Sequence, residues 1–189
     1  MSKNRIIKTL EDNPVIASVK DSQGLNEAME SECNIIFVLH STIINVGQIV
    51  NKIKEKGKLA FVHVDLLEGA SNEEVALQFL NENTKADGIL STKAHMVHAA
   101  QKYGFYTIHR FFLIDSFSFH NIDKQIAQSQ PHFIEILPGG MPEAIGWVKD
   151  KVNLPIIASG LVCEKEIVVS ALQAGAVAIS STNSEVWYM

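Results

Sequence analysis

Two stretches decide the fold: Ile157-Ala-Ser-Gly-Leu-Val162, and, beyond a helical segment, Ala174-Gly-Ala-Val-Ala-Ile-Ser-Ser-Thr-Asn183. Each is a short apolar strand that runs into small residues, and the segment between them carries Ile167, Val168, Ala171 and Leu172 at helical spacing. Outward from this pair the same unit recurs. Strands are expected at 15–19, 35–39, 59–65, 88–91, 105–114, 133–137, 155–159 and 177–181. Their interiors are dense in Ile, Val, Phe and Leu instead of alternating with polar residues, as strands covered on both faces require in a parallel sheet. Between them lie amphipathic stripes such as Val46, Ile49, Val50 and Ile53, or Val75, Ala76, Phe79 and Leu80. Gly57, Gly104 and Gly175 stand where such helices stop.

Eight strand–helix units predict an α/β fold, a small closed (β/α)8 barrel of TIM type, with an open doubly wound sheet as the rival. At 189 residues the chain is short for a barrel of about 200, and too little sequence follows the last strand for a full eighth helix. The leading segment 1–12, apolar at Ile6, Ile7 and Leu10, or a subunit partner in a homo-oligomer, is expected to cover that gap. No linker or repeat divides the chain, so residues 1–189 read as one barrel domain.

Composition narrows the function. A 47% hydrophobic content supports a full core, and no apolar run approaches the ~20 residues of a membrane span. Two cysteines, Cys33 and Cys163, make neither a disulfide framework nor a metal site, and with no signal-like N-terminus a cytoplasmic setting is expected. The net charge of −5 excludes a whole-surface attraction to nucleic acid.

In a barrel of this kind, ligands sit at the carboxyl ends of the strands, often with a phosphate after the seventh and eighth. The opening stretches fall there. Gly160 lets an anion approach the backbone, and Ser159, Ser180 and Ser181 add hydroxyls; the plainer reading is a pair of tight turns. His63 and Asp65 close the third strand, on one face by alternation. Glu135 and Arg110 are charges inside apolar strands, which an internal ion pair, a ligand, or both would satisfy. Lys93 follows the fourth strand, either reaching inward to an anion or solvated at a helix start. His95 and His98 share a helix face without an acidic neighbour and are read as surface residues, so no metal is expected.

Taken in order, Val62-His-Val-Asp-Leu66, Gly88-Ile-Leu-Ser-Thr92, Arg110-Phe-Phe-Leu-Ile-Asp115, Glu135-Ile-Leu-Pro-Gly139, Pro155-Ile-Ile-Ala-Ser-Gly160 and Ala174 to Asn183 with Trp187 resemble the glycerol-3-phosphate-responsive antiterminator family. The resemblance covers nearly the whole chain. It implies a regulator, not an enzyme, that binds sn-glycerol 3-phosphate as effector, needs no cofactor, and acts on the leader mRNA of glycerol operons to prevent transcription termination. It also implies that Ser159, Gly160, Ser180 and Ser181 hold the phosphate, while Asp65 and Glu135 meet glycerol hydroxyls with Arg110 and Lys93 nearby. The chain departs from the family pattern at Ser159, where glycine is usual, and at Lys93, where arginine is common.

An acidic RNA-binding protein must concentrate its cations. The candidates are Lys52 and Lys56, one face of a run that includes Lys54 and Lys58, then Lys3, Arg5 and Lys8, and Lys149 with Lys151; each also reads as a solvated face. A barrel enzyme acting on a small phosphorylated metabolite, with Asp65 and Glu135 as acid and base, is the alternative. A metabolite sensor with a protein partner is a third.

Overall fold

The computed structural model describes residues 3–189, with side chains from Ile6 onward, so Lys3 and Arg5 of the leading basic group lie outside the described side chains. Eight parallel strands close on themselves: β1 (Val15–Val19), β2 (Ile35–Val38), β3 (Leu59–His63), β4 (Gly88–Ser91), β5 (Tyr106–Phe112), β6 (Phe133–Leu137), β7 (Ile156–Ser159) and β8 (Ala178–Ser181). Closure rests on the pairing of β8 with β1, Val15 beside Ile179 and Ala17 beside Ser181, which an open doubly wound sheet lacks. The fold is therefore the small (β/α)8 barrel. A short parallel ribbon, Ser41–Thr42 with Leu67–Glu68, adds to the loops after β2 and β3.

Two strands end two residues sooner than the apolar runs suggest. β3 stops at His63 because Val64–Leu66 forms a 3-10 turn, and β5 stops at Phe112. The turn takes Asp65 off the strand, so His63 and Asp65 do not share a strand face.

Alternation along each strand sorts the core into two layers. Outward-facing Ala17, Ile36, Val62, Ile89, Ile134 and Ile179 pack under the surrounding helices. These include α2 (Ser22–Glu30), α3 (Val46–Glu55), α4 (Glu74–Asn83), α5 (Ala94–Ala100), α6 (Ser116–His120), α7 (Ile122–Ser129), α8 (Pro142–Lys151) and α9 (Lys165–Gln173). Two expected stripes hold at their centres, through Val50 and Ile53 on α3 and Val168 and Ala171 on α9. On α4 the buried face is Ala76, Leu77 and Leu80, and Val75 is 60% exposed, so the stripe is rotated from the expected one.

Inward-facing Ile16, Phe37, Phe61, Ile108, Phe133 and Ile157 fill the barrel's N-terminal half. The leading helix α1 (Lys3–Asp12) inserts Ile6 and Leu10 into this same cluster. It therefore plugs the bottom of the barrel instead of covering the missing eighth helix, because the strands' first inward residues offer an apolar socket there. The gap beside β8 is filled by a 3-10 turn, Ser184–Tyr188, which buries Val186 and Trp187 against β1 and α2. Trp187 Nε1 donates to Ser181 O at 2.9 Å, so one aromatic side chain both packs and ties down the last strand's exit. With the bottom sealed, the open end is the C-terminal mouth, where the inward residues turn polar: Ser18, His63, Arg110, Glu135, Ser159 and Ser180, all buried. Among the described residues, no helix is long and apolar enough to cross a membrane.

Candidate functional site

β7 ends at Ser159, and the chain then takes two successive left-handed residues, Gly160 at φ +72° and Leu161 at φ +56°. Glycine adopts this conformation freely; leucine does not, and its side chain is left 72% exposed. The turn is locked from β6's exit, where Gly139 N and Gly140 N donate to Gly160 O at 2.9 and 3.2 Å. A Cβ on Gly139 would lie 2.5 Å from Ser159 N, so the two loops can approach this closely only through glycine. From the other side, Ser181 Oγ donates to Val162 O at 2.7 Å and accepts from Asn183 N at 3.1 Å. Ser181 thus stitches the β7 and β8 loops together, and its hydroxyl is committed to them.

These loops enclose a cavity of about 180 Å³ above Ser18, Arg110, Ser159 and Ser180. Ser18 Oγ and Ser180 Oγ lie 2.6 Å apart at its base. Among the described residues, the amides of Gly160, Leu161, Val162 and Thr182, all lining the cavity, donate to no protein acceptor. A fixed group of spare N–H donors with a guanidinium beneath is a ready anion seat.

Arg110 and Glu135 are Cα neighbours across β5 and β6, and Arg110 Nε meets Glu135 Oε2 at 2.5 Å. The internal ion pair is therefore made, with Glu135 fully buried and Arg110 8% exposed on the cavity lining. His63 lies in the same layer. Burial first, and the charge of Arg110 second, push its pKa down to about 4. His109, buried behind β5 with Nδ1 2.8 Å from Ser129 Oγ, is also lowered to about 4, chiefly by burial.

Both imidazoles stay neutral in the folded chain, while an unfolded histidine titrates near 6.5. Unfolded chains therefore bind more protons between those values, and stability contributed by these residues is lost as pH falls from about 6.5 toward about 4. The melting temperature is expected to fall through that window. At pH 5 unfolding should take up about two protons from these residues, measurable by calorimetry in buffers of different ionisation enthalpy.

The remaining expected residues lie elsewhere. Asp65 accepts from Ser91 Oγ at 2.5 Å, Thr92 N at 2.7 Å and Thr92 Oγ1 at 2.8 Å. Burial alone would raise its pKa, but these bonds outweigh burial and hold it below the ordinary carboxylate value. Its carboxylate thus fastens the loop after β4, and it does not line the cavity with Arg110. Lys93 stands at the start of α5, its amide donating to Ser91 Oγ, also outside the cavity lining. Asp65 and Glu135 bond to separate partners, and neither lines the cavity. His95 and His98 are exposed, and among the described residues no cluster of metal-ligating side chains occurs.

The lysine run around α3 is largely neutralised. Lys54 pairs with Asp87 at 2.6 Å and Lys56 with Glu30 at 2.6 Å, while Lys58 caps the carbonyls of Ala28, Ser31 and Cys33. Lys52 is exposed on the same helix. The four expected phosphate residues, Ser159, Gly160, Ser180 and Ser181, then come together around one cavity, and Arg110, expected nearby, joins them. Ser18 was missed, although a lone serine at an inward position of an apolar strand was a readable sign. The left-handed Leu161 had no such signal.

The fold and its mouth define a (β/α)8 barrel with a small, donor-lined cavity over its last two strands. The chain belongs to the glycerol-3-phosphate responsive antiterminator family, whose model matches residues 15–187. It is 57% identical over 182 residues to the uncharacterized protein YgcP of Escherichia coli K12, covering 96% of this chain and 95% of that one. Among solved structures it is similar to the glycerol uptake operon antiterminator regulatory protein of Listeria monocytogenes, at 28% identity and TM-score 0.89 over 93% of this chain and 95% of the other. It is also similar to a glycerol uptake operon antiterminator-related protein of Thermotoga maritima, at 29% identity and TM-score 0.82 over 93% and 98% of the two chains.

Proposed function

We propose that this protein senses sn-glycerol 3-phosphate at the barrel mouth and, when loaded, binds the leader mRNA of glycerol-utilisation operons to prevent transcription termination. The observation that carries the reading is the set of amides at Gly160, Leu161, Val162 and Thr182, without protein acceptors, around a cavity that also holds Arg110. Such donors favour a dianion, and a volume of about 180 Å³ suits a small phosphate ester. The phosphate rests on the loops after Ser159 and Ser180, and the carbon chain lies toward Arg110 and Glu135. No cofactor is required. Family membership supports a regulator over an enzyme, and the separate commitments of Asp65 and Glu135 support it further.

The control is a linkage: effector that prefers the RNA-competent arrangement shifts the population by its differential affinity, on the order of 1–3 kcal/mol. Lys52 and Lys56 are the proposed phosphate-backbone contacts, Lys56 by exchanging Glu30 for RNA. The test has two readouts. Glycerol 3-phosphate is expected to raise the melting temperature and to be recovered unaltered after long incubation, whereas turnover would point to an enzyme. In a gel-shift assay, it should increase retention of leader RNA, and Lys52→Glu with Lys56→Glu should reduce retention without changing effector affinity. Retention indifferent to both changes removes that surface.

A further inference from the structure

Six large apolar side chains stand open to solvent in one patch beside the mouth: Phe112, Ile114, Phe117, Met141, Trp147 and Leu161, each between 41% and 86% exposed. They come from three neighbouring loops and the helices those loops lead into. The exit of β5 lies beside that of β6, where Leu113 N donates to Leu137 O at 2.7 Å. The exit of β6 lies in turn beside that of β7, where Gly140 N donates to Gly160 O, next to Leu161. An apolar groove of about 270 Å³ runs through the patch, with Ile114, Phe119, Met141, Ala144 and Trp147 in its walls. Phe119 of α6 and Trp147 of α8 meet edge to face, ring centroids 6.4 Å apart, so both helices build the groove.

With large side chains offering about 150–250 Å² each, this exposure amounts to on the order of 700 Å² of apolar surface. The largest apolar patch of a typical monomer is about 300–600 Å², whereas a stable dimer covers about 800 Å² per partner. The charges around the patch select the occupant. On and next to α6, α7 and α8, the exposed acids Asp115, Asp123, Glu143 and Asp150 slightly outnumber Lys124, Lys149 and Lys151. Lys151 is moreover held by Asp123 at 2.9 Å and by the carbonyls of Phe119 and His120. Nucleic acid needs a surplus of cations, which this face lacks. A face of balanced charge, rich in Phe, Trp and Met, meets its own copy without repulsion. Two-fold contact also requires a surface complementary to itself. The patch supplies both halves: the groove has room for an aromatic ring, and the exposed Phe117 follows directly on Ser116 of the groove's lining.

We infer that this face is a two-fold interface between copies of the chain, with Phe117 of each protomer seated in the groove of the other. The inference goes beyond the effector reading and does not depend on it. Leu161 belongs both to the patch and to the lining of the anion cavity, so the interface abuts the anion seat of each protomer. Subunit contact thus lies here and not beside β8, where Trp187 already fills the gap.

Sedimentation velocity at micromolar concentration should give wild-type protein twice the mass of one chain. Phe117→Asp should raise the dissociation constant of the dimer at least about thirty-fold, the scale of an interface hot spot. Its circular dichroism spectrum should match the wild type, because the side chain is on the surface. Met141→Arg should dissociate the dimer in the same way. Mixed in equal amounts, the two variants should pair again, since a two-fold sets the new acid of one against the new base of the other at one of the two contacts. Ile44→Asp, at an 87% exposed residue in the loop after β2, should leave the dimer intact. A monomeric wild type, or a dimer indifferent to Phe117→Asp and Met141→Arg, overturns the proposal. Dissociation by Ile44→Asp, or variants that stay monomeric when mixed, overturns the placement of Phe117 in the groove. A monomeric wild type whose leader-RNA retention falls with Phe117→Asp would give the face to nucleic acid instead.

Discussion

Gly160→Asp is expected to abolish thermal stabilisation by glycerol 3-phosphate. The residue lines the cavity at φ +72°, and aspartate tolerates that left-handed conformation better than most residues. A Cβ built there meets Leu137 Cδ2 at 3.1 Å, the end of a side chain that can give way. The fold should therefore survive with a modestly lowered melting temperature. The new carboxylate, by contrast, occupies the space of the phosphate and repels it. Ligand at one hundred times its Kd stabilises the wild type by about 2.7 kcal/mol, and the variant should lose all of this. Gly160→Ala, which adds the Cβ without the charge, should keep a part. Stabilisation of the aspartate variant equal to that of the wild type in a thermal-shift titration would disprove the seat.

Arg110→Leu should produce the largest loss of stability. It strands Glu135, fully buried, without the cation that accounts for its charge. Breaking a buried pair from one side costs about 3–5 kcal/mol, because the remaining ion stays desolvated and uncompensated. For a chain of this size that corresponds to a fall in melting temperature on the order of 10 °C. Replacing both members, Arg110→Leu with Glu135→Leu, removes the stranded charge and should recover much of the loss. Urea unfolding of the two singles and the double completes the cycle. A double variant destabilised by the sum of the two single losses would mean that the pair is energetically idle. The ligand response should disappear in both, since Arg110 lines the cavity.

Much of this architecture is legible in the sequence itself. Strands apolar on both sides imply helices on both flanks, and helix-ending glycines mark the unit boundaries; Gly57, Gly104 and Gly175 all take positive φ as that reading requires. Residue type also gave away the polar layer, because a glutamate and an arginine in apolar strands have few ways to be satisfied. Boundaries were less readable. The run from Leu59 to Asp65 looks like one strand, yet Ser91 and Thr92, distant in sequence, supply the hydrogen bonds that hold Asp65 in a turn. Likewise the lysine run from Lys52 to Lys58 reads as a basic cluster until Asp87 and Glu30, from other elements, arrive beside Lys54 and Lys56.

The repeating unit, the parallel sheet and the positions of the inward charges follow from local periodicity and from the cost of burying unpaired polar groups. Packing between distant segments set the rest: β8 closes on β1, α1 plugs the bottom, and Trp187 fills the place of a helix. It also decided which polar atoms remained unmatched: Asp65 found three donors, while His63 Nδ1 and Glu135 Oε1 found no partner among the described residues. The physical reason is the same in each case. A residue's own preferences act over a few neighbours, but the partners that use up or spare its hydrogen bonds come from strands and loops far away along the chain.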